Sequence, residues 1–169
     1  MKVIKTIHNR PMIAHMLDRL RLARRPDDII ICTSPVAQDD PLEKIAKQEG
    51  VLCYRGQPED VLLRITNAAK EFGVDTVVSC TADNPFVDPG CIDRLVDFHL
   101  EHHYDYTKTE GLPWGTFTYV LSYQAMERAC EIKNEIDTEV WGGYFSETGL
   151  FSCGLMQVND PEIHWPELR

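Results

Sequence analysis

Apolar positions in the first hundred residues alternate between two spacings. Met12, Ile13, Met16, Leu17, Leu20 and Leu22 recur at helical intervals, with Pro11 suited to the first turn. Asp28-Ile-Ile-Ile-Cys32 is a short apolar run of strand length and composition. Asp40-Pro41 opens a helix through Leu42, Ile45 and Ala46, and Gly50 stops it. Val51 to Tyr54 reads as the next strand. Pro58 to Gly73 reads as a helix with Val61, Leu62, Ile65, Ala68 and Ala69 on one face. Thr76-Val77-Val78 suits a strand buried on both faces, and helical spacing returns from Cys91 to about His103. Helices and strands alternating through short loops are the signature of βαβ units and a parallel sheet.

The pattern changes at Tyr104. Residues 104–115 read as a loop rich in polar and aromatic side chains. Thr116 to Leu121 alternates like a strand, and Gln124 to Ile132 is a short helix. Asp137 to Phe145 begins with capping residues and continues with aromatics, and Leu150 to Val158 is a last strand. Pro161 to Arg169 is polar and is expected to be loosely ordered. Met1 to Ile7 is a short apolar and basic lead. The expectation is one α/β domain over 1–169. Its first half, 1–103, is nucleotide-binding, and its mixed second half, 104–169, acts as a substrate lid.

Composition narrows the function classes. A chain of 169 residues forms a domain that buries roughly 70% of its unfolded surface. A net charge of −10 argues against a nucleic-acid ligand, yet allows a small phosphate ligand on local cations. No apolar run approaches the roughly 20 residues of a membrane span, and no stretch near the N-terminus resembles a signal peptide. Six cysteines stand at 32, 53, 80, 91, 130 and 153 with no close pair. That spacing fits reduced thiols in a cytoplasmic protein and gives no zinc motif.

Three strands end in polar turns: Thr33-Ser34, Arg55-Gly56 and Thr81-Ala82-Asp83. In a parallel sheet their carboxyl ends share one edge, where such folds bind ligands. Hydroxyls, a guanidinium and a carboxylate together suit a nucleoside phosphate with Mg²⁺, which takes one or two carboxylates, phosphate oxygens and waters. For Asp83 the plainer alternative is an Asx-turn before Pro85. Arg55 either forks onto a phosphate or forms a surface ion pair. No Walker loop or G-x-G-x-x-G is present, since Gly142-Gly143 has neither spacing. No serine, cysteine or histidine stands in a nucleophile setting, so a displacement run by metal and positioning is expected.

The succession Lys2-Val-Ile-Lys, Arg10-Pro-Met-Ile-Ala-His-Met-Leu, Ile31-Cys-Thr-Ser, Tyr54-Arg-Gly, Glu59-Asp-Val-Leu-Leu-Arg64 and Thr81-Ala-Asp-Asn-Pro-Phe-Val-Asp-Pro89 resembles the cytidylyltransferase family. That family makes CMP-activated sugar acids and includes the spore-coat polysaccharide synthesis protein F group. The resemblance runs from about Lys2 to Arg169. It implies a three-layer Rossmann-like nucleotidyltransferase fold with a mainly parallel sheet and a smaller, mixed acceptor-binding and dimerisation half. It implies transfer of CMP from CTP to a sugar acid, with release of pyrophosphate. Asp83 falls on the family's Mg²⁺-binding aspartate, with Ala82 replacing the usual glycine. Lys2 matches the final lysine of the family's phosphate loop, R-x-x-S-x-R-L-P-G-K, as a catalytic residue. Thr33, Ser34, Arg55 and Thr81 are then nucleotide ligands. Lys108, Glu110, Trp114 and Glu139 are acceptor contacts, with core or dimer packing as the alternative for Trp114 and Trp141. A homodimer is implied.

Set against the family pattern, the strand and most of the phosphate loop before Lys2 are absent. Pro166 to Arg169 resembles the lead into a strand carrying a second metal aspartate. Weak or no transferase activity is therefore expected of this chain. The alternative is a non-catalytic nucleotide- or sugar-binding domain of the same ancestry. A flavodoxin-like signalling module fits less well, because it calls for an acidic cluster after the first strand and a late lysine.

Overall fold

A computed structural model describes residues 2–167. Leu168 and Arg169, at the end of the segment expected to be loosely ordered, lie outside the described residues. The chain opens on a two-residue hairpin that the apolar pattern does not announce. Thr6–Ile7 (β1) pairs antiparallel with Arg10–Pro11 (β2) across His8 and Asn9, whose φ values are 48° and 64°. Positive φ at both central residues is type I′ geometry, and Asn9 was its one sequence signal.

Helix α1 (Met12–Leu20) follows, then β3 (Ile30–Thr33), α2 (Asp40–Glu49) and β4 (Leu52–Arg55). β3 and β4 pair in parallel, Ile31 opposite Cys53 and Thr33 opposite Arg55. Next come α3 (Val61–Phe72), β5 (Thr76–Ser79) and α4 (Pro89–His102). Gly50 and Gly73 end α2 and α3 in the left-handed region, both at φ 67°. α3 begins at the first residue of its apolar stripe, three residues after the expected start at Pro58, because Asp60 caps it by accepting from Leu63 N.

The second half contributes β6 (Tyr106–Glu110), β7 (Tyr119–Ser122), α5 (Tyr123–Ile132), α6 (Gly143–Ser146) and β8 (Cys153–Gln157). These strands complete a four-stranded sheet with order β5-β7-β6-β8. β5, β6 and β8 run one way and β7 runs against them. The sheet is therefore mixed at its centre, while most of its strands share a direction. β3 and β4 form a separate two-stranded sheet.

β6 corrects the expectation of a loop over 104–115. Its sequence, Tyr-Thr-Lys-Thr-Glu, carries little apolar signal, yet Tyr106 and Thr107 are buried on opposite faces. Tyrosine and threonine satisfy a strand through shape and β-branching rather than through hydropathy.

Strand alternation places helices on both sides of the sheet. Val78 and Val120 face α1 and α4 through Met16, Ile92, Leu95 and Val96. Val77, Leu121 and Tyr106 face α3 and α5 through Leu62, Ala69, Ala125, Met126 and Ala129. Each fully buried Leu, Ile, Val, Phe or Met contributes about 1.5–3 kcal/mol. A third cluster joins Ile13 and Leu17 of α1 to Ile31, Leu42, Ile45 and Ala46.

One polar pair is enclosed with this core. His99 is 2% exposed, and its Nδ1 hydrogen-bonds Thr107 Oγ1 at 2.5 Å. Burial pushes the imidazole below its ordinary 6.5, against the opposing pull of Asp105. The folded chain thus takes up the proton at lower pH than the unfolded chain. The contribution is fully present above about 6.5 and is lost as pH falls below it. Urea unfolding is expected to show stability falling from pH 7 to pH 5.5, with the slope flattened in His99→Gln. Equal slopes in the two proteins would remove His99 from this role.

Candidate functional site

The carboxyl ends of β3 and β4 are tied together by side chains. Thr33 and Ser34 are buried, and both hydroxyls donate to Asp39 Oδ2, at 3.1 and 2.6 Å. Ser34 N adds a third bond at 3.3 Å. Burial drives the Asp39 carboxyl upward, but the bonds from Ser34 and Thr33 outweigh it and hold the group below 3.8. Gly56 N donates to Thr33 O at 2.9 Å and extends the ladder by one step.

Arg55 is engaged on every side. Nε donates to Ser34 O at 3.0 Å, Nη1 to Glu43 at 2.8 Å, and Nη2 to Asp40 at 2.6 Å and to Val36 O at 3.3 Å. Of the two sequence readings, the ion pair is the arrangement present. The guanidinium fastens the β3 turn to the start of α2.

The third turn is built differently. Asn84 Nδ2 donates to Thr81 Oγ1 at 2.6 Å, and Asn84 N to Thr81 O at 3.0 Å. These bonds close the turn without Asp83. The Asp83 side chain is exposed and makes no hydrogen bond or ion pair among the described residues. The Asx-turn expected as the alternative is therefore not what Asp83 does. Ala82 packs in the cluster that holds Val3, Ile4 and Ile13, which brings the Lys2 segment to the same side. Lys2 is exposed, and its carbonyl accepts from Lys5 N at 3.0 Å. Gly115, at φ 82°, approaches from the second half; a Cβ there would stand 3.2 Å from Asn84 Oδ1. A groove of about 500 Å³ lined by Arg19, Phe86, Asp88, Leu112, Thr116 and Trp165 opens alongside.

Of the remaining candidates, Lys108 and Glu110 stand on the sheet face that carries Tyr106, while Trp114 and Glu139 lie on segments outside the sheet. Lys108 lies opposite Tyr119 on β7 and Leu155 on β8. Glu110 lies opposite Gln157, whose Nε2 donates to its carboxylate at 2.5 Å. Lys108, Glu110 and Gln157 are exposed, and Leu155 is 44% exposed. A file of rings bounds this shelf: Trp114 to Phe117 at 6.0 Å, Phe117 to Tyr119 at 6.0 Å, and Tyr119 to Trp141 at 5.5 Å. The two tryptophans divide. Trp114 is 60% exposed, whereas Trp141 is 8% exposed and packs in the core with Tyr106 and Phe145. Glu139 is exposed on the segment before Trp141.

Sequence reading missed Asp39, and it missed the buried set of Asp60, Lys133 and Thr138. Asp60 stood inside a quoted motif, just before the apolar run Val61-Leu62-Leu63, which is an N-cap signal. Lys133 carried no signal, because only the fold brings it to Asp60.

Among the described residues, no group of three or more His, Cys, Asp or Glu side chains could hold a metal ion. No helix there is long and apolar enough to cross a membrane.

The profile of the cytidylyltransferase family matches residues 1–146. An uncharacterized protein of Methanocaldococcus jannaschii is 32% identical over 128 residues, 76% of this chain and 53% of that protein. The spore coat polysaccharide biosynthesis protein SpsF of Bacillus subtilis is 29% identical over 118 residues, 68% of this chain and 49% of that one. The chain thus spans about half the length of these curated relatives. Among solved structures, a cytidylyltransferase from Leptospira borgpetersenii superposes with a TM-score of 0.88 at 22% identity, covering 99% of this chain and 72% of that one. A CMP:2-keto-3-deoxy-manno-octonic acid synthetase solved with CTP gives a TM-score of 0.71 at 10% identity, covering 98% and 87%. At these identities the two likenesses establish the fold.

Proposed function

The chain belongs to the cytidylyltransferase family, and on that premise we propose that it binds CTP with Mg²⁺ and serves transfer of CMP to a sugar acid for polysaccharide or glycan synthesis. In that reaction an acceptor hydroxyl oxygen bonds to the α-phosphorus of CTP, the α–β anhydride bond breaks, pyrophosphate leaves and the hydroxyl proton passes to solvent. The observation that carries the reading is Asp83, a carboxylate held outward at the end of β5 by bonds that do not involve it. An exposed oxygen donor with no partner among the described residues suits a hard divalent cation. One carboxylate is too few for a protein-only metal site, so Asp83 fits a Mg²⁺ that arrives with the phosphates of its nucleotide. The ion would screen the phosphate charge there.

In this reading Lys2, whose neighbours Val3 and Ile4 share a cluster with Ala82, meets the phosphates as a catalytic cation. Thr81 lies beside Asp83, and Thr33, Ser34 and Arg55 form the neighbouring wall of the nucleotide site. Lys108, Glu110, Trp114 and Glu139 are assigned to the acceptor. A homodimer acting in the cytoplasm completes the reading.

Calorimetric titration of CTP with and without Mg²⁺ tests it. Mg²⁺ is expected to tighten CTP binding to the wild type by about tenfold, 1.4 kcal/mol, and to have no effect on Asp83→Asn. Mg²⁺ without nucleotide is expected not to bind. A variant that retains the Mg²⁺ dependence removes Asp83 from the metal.

A further inference from the structure

The motif Glu59-Asp60-Val61-Leu62 is not accounted for by any ligand contact assigned above. Asp60 is buried, and its carboxylate receives three donors. Leu63 N donates at 3.0 Å as the cap of α3, Thr138 Oγ1 donates at 2.8 Å, and Lys133 Nζ forms an ion pair with it. The paired side chains are 5% and 8% exposed. Thr138 Oγ1 in turn accepts from Leu62 N at 2.9 Å, and Thr138 N donates to Glu59 O at 3.3 Å. Lys133 Nζ also donates to Glu135 O at 3.0 Å. Two stretches far apart in sequence are thus sewn together: the loop leading into α3, and residues 133–138 after α5.

Each stretch leads to one half of the site. Upstream of Asp60, Arg64 Nη1 holds Gln57 O and Pro58 O at 2.5 and 3.0 Å, and the preceding Gly56 bonds to Thr33 O. Downstream of Thr138 come Glu139 and then Trp141, which packs on Tyr119 beside Lys108. Hydrogen bonds, the short chain segments 56–57 and 138–141, and packed rings in succession join the β3 turn to the open shelf of β6. No other ion pair among the described residues joins these stretches.

We propose that Asp60, Lys133 and Thr138 are positioning residues that couple the nucleotide side of the site to the acceptor side, so that ordering the β3 and β4 turns also orders residues 134–141. This rests on the nucleotide reading of the β3, β4 and β5 turns. Coupling in this form is a free energy shared by two sites through an element that both bias. Asp60 suits the task because it is at once a helix cap, an ion-pair partner and a hydroxyl acceptor.

Hydrogen exchange with and without CTP and Mg²⁺ tests the coupling. In the wild type, CTP is expected to slow amide exchange in 33–56 and, by about tenfold, in 134–141, within the usual range of coupling between sites. Asp60→Asn keeps an N-cap and an acceptor for Thr138 but removes the charge. It is expected to keep protection in 33–56 and lose it in 134–141. Thr138→Val should behave as Asp60→Asn does, and Thr138→Ser as the wild type does. Protection confined to 33–56 in the wild type overturns the coupling and leaves the nucleotide reading standing, as does unchanged protection of 134–141 in both Asp60→Asn and Thr138→Val. CTP that slows exchange nowhere overturns both.

Discussion

Phe145→Ala lowers the unfolding free energy by about 3–5 kcal/mol, read by urea denaturation followed with far-UV circular dichroism. Phe145 is 1% exposed and stands at a junction of rings. Tyr106 stacks on it at 5.4 Å, Phe151 lies tilted at 5.0 Å, and Trp141 meets it edge-on at 6.0 Å. Each such pair adds about 0.5–1.5 kcal/mol beyond area burial. α6 has only four residues, too few for a helix to persist alone, so Phe145 is also what holds it to the sheet. The near-UV signal of Trp141 should weaken with the stability. A loss below about 1 kcal/mol would mean that the neighbouring rings close the cavity.

The first half of the fold was legible because its elements satisfy local rules. Gly50 and Gly73 stop helices where the left-handed region is needed, and Ile29-Ile30-Ile31 and Thr76-Val77-Val78 leave little choice but strand. β6 was not legible, since its burial comes from Tyr106 and Thr107 set among polar neighbours. Its inward threonine bonds to His99, eight residues away on α4. The site divides in the same way. A carboxylate after β5 could be read from Thr81-Ala-Asp-Asn-Pro, because strand ends and proline are local signals. That Asn84 closes the turn and leaves Asp83 outward required coordinates. Arg55 offered a phosphate fork and an ion pair equally in sequence. Asp40 and Glu43 decide between them from the first turn of α2, where the peptide dipole also favours acidic residues.

Lys133→Met destabilises the chain by about 3–5 kcal/mol near neutral pH, because it leaves the Asp60 carboxylate buried without its counter-charge. The size of the loss comes from the charge left behind rather than from the pair itself. Asp60→Asn/Lys133→Met should therefore be more stable than Lys133→Met alone, since asparagine keeps the cap and brings no charge. The pH dependence separates this from a packing defect. In the wild type, burial pushes the Asp60 carboxyl up, but Lys133, Leu63 N and Thr138 outweigh it and hold the group below 3.8. That contribution is present above the unfolded value and is lost as pH falls through the folded one. Without Lys133 the balance tips toward burial, and the folded carboxyl titrates above the unfolded one. The folded state then binds the extra proton, so stability in Lys133→Met rises as pH falls toward about 4. Unfolding midpoints of the wild type and Lys133→Met are expected to converge between pH 7 and pH 4.5. A constant gap across that range would show that Lys133 acts through its methylenes, and that Asp60 is held by Thr138 and the α3 amides alone.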